Sequence, residues 1–167
     1  MTFINETNSR LENSELFLRW KENHQDSYLS HFFCPLDQNY KLKGSWEIGY
    51  YNPKDDKIVV FMLKEDGSFE MKKEDEVFKK PEDKVTGLNL EKVKISYEDA
   101  LEIFKKNYQT FFPKALLGDG FIVLQNIEEK TLWNFTFVTK SLQFINLKIN
   151  SEDGKVDSHQ TVELVQK

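Results

Sequence analysis

Apolar and polar residues alternate around aromatic side chains in two segments of the chain. Residues 46–51 read Trp-Glu-Ile-Gly-Tyr-Tyr, and residues 133–138 read Trp-Asn-Phe-Thr-Phe-Val. This alternation predicts antiparallel strands that bury one face against a core and leave the other face freer. The same criterion predicts further strands at residues 120–125 and 142–150 and from Lys155 onward.

A helical spacing of apolar residues precedes the C-terminal strands. Ser96 and Asp99 form a Ser-x-x-Asp capping box in front of residues 100–108, whose apolar side chains share one helical face. Pro113 should end this helix, because proline has no amide hydrogen to donate. The chain therefore predicts an α+β fold in which an amphipathic helix packs on an antiparallel sheet.

The pattern occurs twice at a constant spacing. Trp46 and Trp133 are 87 residues apart, and Gly67 and Gly154, the glycines of two Glu-Asp-Gly sequences, are separated by the same number. Each Asp-Gly pair predicts a tight primed hairpin turn, which requires positive φ angles. Because both landmarks agree without a gap, we predict a tandem duplication with one offset throughout each copy.

The offset also divides the chain. Residues 1–80 are expected to form the first copy, residues 81–95 a connector and residues 96–167 the second copy, each copy being an amphipathic helix packed on a small antiparallel sheet. In this register the first helix begins with a capping box at Ser9 and stops near Asp26.

The sequence between the copies changes character along its length. Residues 72–84 are dense in charge and contain one proline, which predicts a solvated connector. The apolar residues that follow predict an extended segment packed over the core before the second helix: Val85, Leu88, Leu90, Val93 and Ile95.

Composition narrows the classes of function. The 14 Phe, 6 Tyr and 3 Trp supply bulky core side chains, and the net charge of −5 is well mixed, so we expect no nucleic-acid partner. No stretch approaches the roughly 18 apolar residues that span a bilayer. We therefore expect no membrane span and a cytoplasmic location, or an extracytoplasmic one if a leader has been removed.

The second copy resembles the PepSY family of small α/β modules. The residues that carry the resemblance are the Ile-Ser-x-Glu-x-Ala-x-Glu-Ile helix at 95–103, the aromatic strand at 133–137, and the strand with an acidic-Gly turn at 148–156. The resemblance implies a cystatin-like layer of sheet on helix, often found in tandem in secreted or membrane-attached proteins. It also implies a role in inhibiting proteases or mediating interactions, and it brings no catalytic residues.

Cys34 and two nearby histidines, His24 and His31, are the residues with the chemistry of a metal or nucleophile site. A continuous helix would bring them to one side, but the repeat register aligns Cys34 with Phe121 in a strand. In an extended segment, residues three apart point to opposite faces. We therefore expect Cys34 to be a buried, volume-filling thiol, His159 to stand alone, and no metal or cofactor to be bound.

The aromatic residues separate into core and surface candidates. Trp20, Trp46 and Trp133 are expected to be core residues, since two of them occupy matching positions of the repeat. Tyr51 and Phe61 are expected on the strand face opposite to Trp46 and Ile58, which the other copy or a partner must cover.

The sequence contains no recognisable catalytic constellation. We therefore expect a non-enzymatic, PepSY-type binding or regulatory module, with inhibition as one role, whose partner is a protein or peptide, because exposed sheet edges accept an added strand. Two alternatives remain open. One is a small-molecule binding protein or a cone-shaped, NTF2-like enzyme with an apolar pocket. The other is a homo-oligomer in which the freer sheet faces pair; the sequence leaves the oligomeric state open.

Overall fold

The computed structural model describes residues 2–72 and 85–164 and the backbone of residues 75–76. The helices in this part of the chain are α1 (Phe3–Glu12), α2 (Glu15–Glu22) and α3 (Tyr97–Phe111), with a 3₁₀ helix at Leu90–Lys92. The strands are β1 (Tyr28–Leu36), β2 (Glu47–Asn52), β3 (Lys57–Leu63), β4 (Phe69–Met71), β5 (Asp75–Glu76), β6 (Leu117–Ile127), β7 (Lys130–Thr139), β8 (Gln143–Asn150) and β9 (Val156–Glu163). The predicted α+β class is confirmed.

The strands form one antiparallel sheet that runs through the whole molecule. Its order is β4-β3-β2-β1-β6-β7-β8-β9, and β5 pairs with β3 beside β4. Each half of the chain contributes a run of consecutive neighbours, and the halves meet at β1 and β6, where Phe32 pairs with Leu124 and Cys34 with Ile122. The sheet is therefore continuous across the two halves, and β4 and β9 lie at its opposite edges.

The helices cover one face of this sheet and create a single core. Phe17 of α2 packs on Tyr50 with ring centroids 4.8 Å apart, and Phe104 of α3 packs on Phe135 at 4.9 Å. Buried residues from both halves belong to one cluster. Fully burying each such side chain stabilises the fold by roughly 1.5–3 kcal/mol, so the alternating aromatic strands account for much of the core.

Within the described residues no helix lies on the other face of the sheet, and we call it the open face. Its side chains are mostly half-buried, and include His31, Phe33, Tyr51, Phe121, Val123, Asn134 and Thr136.

The N-terminal helical region is two helices, so the prediction of one helix capped at Ser9 is wrong. Ser9 lies inside α1, and α2 starts at a second cap, where the Ser14 hydroxyl accepts a hydrogen bond from the Phe17 amide at 3.2 Å. The Asn13 side chain donates to the Ser9 carbonyl at 2.8 Å. These short polar side chains compete with the helical ladder and end α1. The second helix ends at Glu22, before Asp26.

The C-terminal helix follows its prediction. The Ser96 hydroxyl accepts a hydrogen bond from the Asp99 amide at 3.1 Å, and α3 ends at Phe111, before Pro113. Local signals are sufficient here, since the cap and the proline act within one helical turn of the residues that they affect.

Both halves run from helix to strands in the same order, but the single offset of 87 is wrong in β3 and β8. Ile48 pairs with Phe61, whereas Phe135, 87 residues after Ile48, pairs with Leu147, which lies 86 residues after Phe61. The connection between β2 and β3 is one residue longer than that between β7 and β8. A one-residue slip moves every side chain of a strand to the other face.

A larger departure occurs in β1 and β6. Phe32 pairs with Ile48, whereas Phe135 pairs with Ile122, which lies 90 residues after Phe32. The difference from 87 is odd, so the faces are again exchanged. Cys34 points to the helices, while Phe121, its partner in the gap-free alignment, lies on the open face.

The two Glu-Asp-Gly sequences form turns, as predicted, but not primed ones. Gly67 and Gly154 have φ angles of 88° and 76°, while neither preceding aspartate has a positive φ. In the first turn the Gly67 amide donates to the Lys64 carbonyl at 3.0 Å. One left-handed residue after a type I turn is the usual geometry of slightly longer hairpin loops, and glycine adopts it without steric cost.

The predicted solvated connector lies largely outside the described residues. The apolar segment after it does pack over the core, because Leu88 and Val93 are buried and the Leu88 amide donates to the Leu29 carbonyl at 2.9 Å. It is not extended throughout, since the 3₁₀ helix falls within it.

Candidate functional site

Cys34 is a buried thiol on the helix-facing side of β1, as predicted. Its Sγ donates to the Gly44 carbonyl at 3.4 Å. Burial, and to a smaller extent the nearby Glu47 carboxylate, raise the pKa of Cys34 to about 11, against an opposing effect of the Gly44 contact. The thiolate that nucleophilic chemistry requires is therefore disfavoured.

The structure does not bring Cys34, His31 and His24 together. His31 lies on the open face, opposite in direction to Cys34, and burial lowers its pKa to about 4. His24 follows α2, where its ring stacks on Trp20 with centroids 4.6 Å apart. Within the residues that the structure describes, no group of three or more His, Cys, Asp or Glu side chains is arranged to hold a metal ion.

The predicted aromatic contact surface is wrong at Phe61. Phe61 is fully buried on the helix-facing side, where its ring lies 5.5 Å from Phe17 and 5.3 Å from Trp20. Tyr51 does lie on the opposite face, but its hydroxyl donates to Asp56 and its ring packs against Tyr28. The three tryptophans are buried, as predicted: Trp20, Trp46 and Trp133.

The two edges of the sheet differ in how well they are protected. One edge is formed by the short strands β4 and β5, of three and two residues. The other is β9, of eight residues, which contains no proline, lysine or arginine and is exposed from Asp157 to Glu163. Short strands, lysine, proline and bulges are the usual protection of an edge. The pairing of β9 is irregular only near Asp157, and from Ser158 to Glu163 it pairs regularly with β8, so this stretch is an open template for another strand.

The register determines which backbone groups of β9 point outward. The Leu164 amide donates to the Leu142 carbonyl at 3.1 Å, so this pair is hydrogen-bonded, and by alternation Val162 and Gln160 also direct their backbone groups to β8. The amides and carbonyls of the intervening residues therefore point away from the sheet: those of His159, Thr161 and Glu163. Within residues 2–72 and 85–164, β8 is the only strand that pairs with β9, and no backbone hydrogen bond from a turn, loop or cap reaches these groups.

A groove of about 330 Å³ lies beside this edge, on the helix side of the sheet. Phe111, Phe112 and Ile145 contribute apolar side chains to its walls, and Lys114, Ser141, Gln143 and Thr161 contribute polar ones. The ring of His159 packs on Phe111 with centroids 4.3 Å apart, next to the groove. The free edge and the groove together form the candidate site.

The groove exists because α3 is shorter than the strands beneath it. Pro113 ends the helix, and the chain turns through Lys114 and Ala115 into β6, which leaves the end of β8 and β9 without a helix above it. Sequence reasoning missed this site. It predicted a short strand from Lys155, but only the order of the strands makes β9 an edge.

Two further surface cavities are weaker candidates for a binding site. A cavity of about 70 Å³ lies between the first turns of α1 and α3. A wide depression of about 510 Å³ lies beside α2 and Met71. The first is too small for a metabolite, since ligand pockets usually enclose roughly 300–1,000 Å³. The second adjoins the edge that short strands protect.

Comparisons of the chain with protein-family models, with curated proteins and with solved structures gave no match. In the part of the chain that the structure describes, no helix combines the length and the apolar character needed to cross a membrane.

Proposed function

We propose that the protein is a non-enzymatic binding module that takes up an extended segment of a protein or peptide as an added strand on β9. The observation that carries this proposal is the eight-residue free edge, whose outer backbone groups have no partner in the described structure. Strand addition of this kind obtains affinity from backbone hydrogen bonds and specificity from sites for alternate side chains.

The energetics require both parts of the site. Each backbone hydrogen bond contributes about 0.5–1.5 kcal/mol net, and ordering an extended segment removes a comparable amount. The edge alone would therefore bind weakly. The groove beside Thr161 supplies apolar surface for at least one side chain of the added strand. Burying that side chain supplies the additional free energy that binding requires.

The tandem duplication is part of the same proposal. Its support is that each half places four strands side by side in chain order, β1–β4 and β6–β9, that Gly67 and Gly154 both adopt positive φ angles, and that the halves meet at equivalent strands. The relation to PepSY modules, with an inhibitory role, stays a prediction based on the sequence. Under this proposal, changes of one residue in the β2–β3 or β7–β8 connection and of three residues between the first two strands of a copy have exchanged the faces of two strands since the duplication.

Selection of ten-residue peptides from a displayed random library tests the function. Peptides selected on the wild type should lose affinity at least tenfold for Thr161→Pro, because proline removes an outward amide that the added strand needs. The matched control Thr161→Val keeps that amide and should bind normally. Both variants should melt cooperatively, since position 161 gives no backbone hydrogen bond to β8.

Peptides that bind Thr161→Pro as tightly as the wild type would contradict strand addition at this edge, and so would a selection that yields none. Amide hydrogen exchange checks the geometry in the free protein. The amides of His159, Thr161 and Glu163 should exchange fast, and those of Gln160 and Val162 slowly.

A further inference from the structure

The side chains around β9 determine which extended segment suits this edge. We propose that the accepted strand belongs to a different protein and carries a large apolar side chain opposite Thr161 and a lysine or arginine opposite Glu163. This inference rests on the proposed strand addition and specifies its partner by chemistry.

The apolar requirement follows from the alternation of side chains. Residues directly opposite each other on neighbouring strands share one face of the sheet. His159, Thr161 and Glu163 pair with Leu147, Ile145 and Gln143, all on the helix side. A residue added opposite Thr161 therefore lies beside the groove, where the half-buried Phe111 ring presents the aromatic surface and Phe112 is already buried. A small or polar side chain would leave the Phe111 surface uncovered.

The basic requirement follows from the charges of the edge. Asp157 and Glu163 are the charged residues of β9. The Asp157 carboxylate already pairs with the Lys130 ammonium at 2.9 Å. The Glu163 carboxylate accepts a hydrogen bond from the side-chain amide of Gln143. In the described part of the chain it has no cationic partner. Lys114, in the connection from α3 to β6, also lines the groove, but within the described residues no ion pair joins it to Glu163.

A second copy of this chain does not fit the same edge. Its own β9 would present His159, Thr161 and Glu163 on this side, so no large apolar side chain would enter the groove. Antiparallel self-pairing would also bring the two acidic strands, each with Asp157 and Glu163, against each other, and like charges across a sheet destabilise pairing. The edge therefore favours a basic and apolar partner over a homodimer.

Titration of ¹⁵N-labelled protein with synthetic ten-residue peptides tests the inference. Each peptide has alternating Thr and Gln flanks, one central Leu, and one Lys placed two positions before or after it. The amides of His159, Thr161 and Glu163 should shift. Replacing Leu by Ser should weaken binding at least tenfold, and replacing Lys by Glu about two- to fivefold.

The position of the lysine reports the direction of the added strand. In an antiparallel pair the residue opposite Glu163 lies two positions before the one opposite Thr161, and in a parallel pair two positions after it. The charge-reversal variant Glu163→Lys should prefer the Glu peptide over the Lys peptide. The control Glu152→Lys, in the β8–β9 turn away from the groove, should keep the wild-type order.

The possible failures are distinguishable. Edge amides that shift equally with Leu and Ser peptides, or with Lys and Glu peptides, would overturn the partner chemistry and leave strand addition intact. The absence of any shift in these amides would overturn both proposals. Shifts of the same amides on raising the protein concentration without peptide would show a second copy at the edge, and would overturn the choice of partner.

Discussion

His31 and Gly49 form a close contact on the open face at the centre of the sheet. They are opposite each other on β1 and β2, and a Cβ atom built on Gly49 would lie 2.2 Å from Cε1 of His31. Glycine is required here because the imidazole ring occupies the space over it. The contact with Gly49 also covers part of the ring, which is half-buried on the open face.

Introducing a methyl group at this contact should destabilise the protein. We expect Gly49→Ala to lower the free energy of unfolding by about 1–3 kcal/mol, the usual range for overpacking. In the His31→Ala background the same change should cost much less, because the ring is gone. Chemical denaturation of the four proteins of this double-mutant cycle measures the coupling. Additive effects would show that the contact is not formed.

The same histidine should make stability depend on pH. Its pKa is lowered by burial from 6.5 to about 4, so between these values the unfolded chain binds a proton that the folded chain does not. The free energy of unfolding should therefore fall as the pH drops from about 6.5 to 4, by at most about 3 kcal/mol. Above pH 6.5 this loss of stability should be absent.

Comparing wild type with His31→Gln isolates this effect from the carboxylates. The variant should lose less stability between pH 6.5 and 4, while His24 and His159 remain in both proteins. Parallel stability curves for the two proteins across this interval would contradict the assignment.

At the level of elements, the break between the two N-terminal helices depends on a cap at Ser14, which the capping-box pattern does not mark. The capping box of Ser9 and Glu12 predicts a helix start, but in the structure Ser9 is inside α1, and it is Ser14 that has the extended backbone of a cap. Ser14 also donates to the Leu11 carbonyl at 2.6 Å, which joins the two helices.

Two matched substitutions separate these roles. Ser14→Ala should lower the free energy of unfolding by about 0.5–2 kcal/mol, the usual cost of losing a helix cap. Ser9→Ala should be neutral or slightly stabilising, because Ser9 is exposed and alanine favours a helix interior. Thermal and denaturant unfolding of both variants measure the two changes in the free energy of unfolding. A larger loss for Ser9→Ala would support a single helix that starts at Ser9.

At the level of the whole molecule, the continuous sheet should make the two halves unfold together. Separating them would expose β1 and β6 as new edges and divide one core cluster. We expect one cooperative transition rather than two, because neither half keeps a complete core alone.

A substitution in one half should therefore be felt in the other. Phe104→Leu should shift the denaturation midpoint reported by Trp20 as much as that reported by Trp133, with a loss of about 1 kcal/mol. Fluorescence of single-tryptophan versions that keep one or the other provides the measurement. A midpoint at Trp20 that does not move would indicate two independently folding halves.

The sequence by itself determined the features that act over a few residues. Ser96 and Pro113 define α3, glycine at 67 and 154 fixes two turns, and alternation marks 133–138 as a strand with Trp133 in the core. Each of these depends on steric or hydrogen-bonding preferences within one turn or one strand, which the local pattern records.

Only the tertiary structure decided which way side chains face and which strand is left open. The length of a connection sets the face of the next strand, so one extra residue between β2 and β3 placed Phe61 in the core instead of on the predicted surface. The free edge at β9 follows from the order of all the strands. That order depends on which strands pair between the two halves of the chain. Such long-range contacts cannot be predicted from the apolar and polar residues of β9 itself.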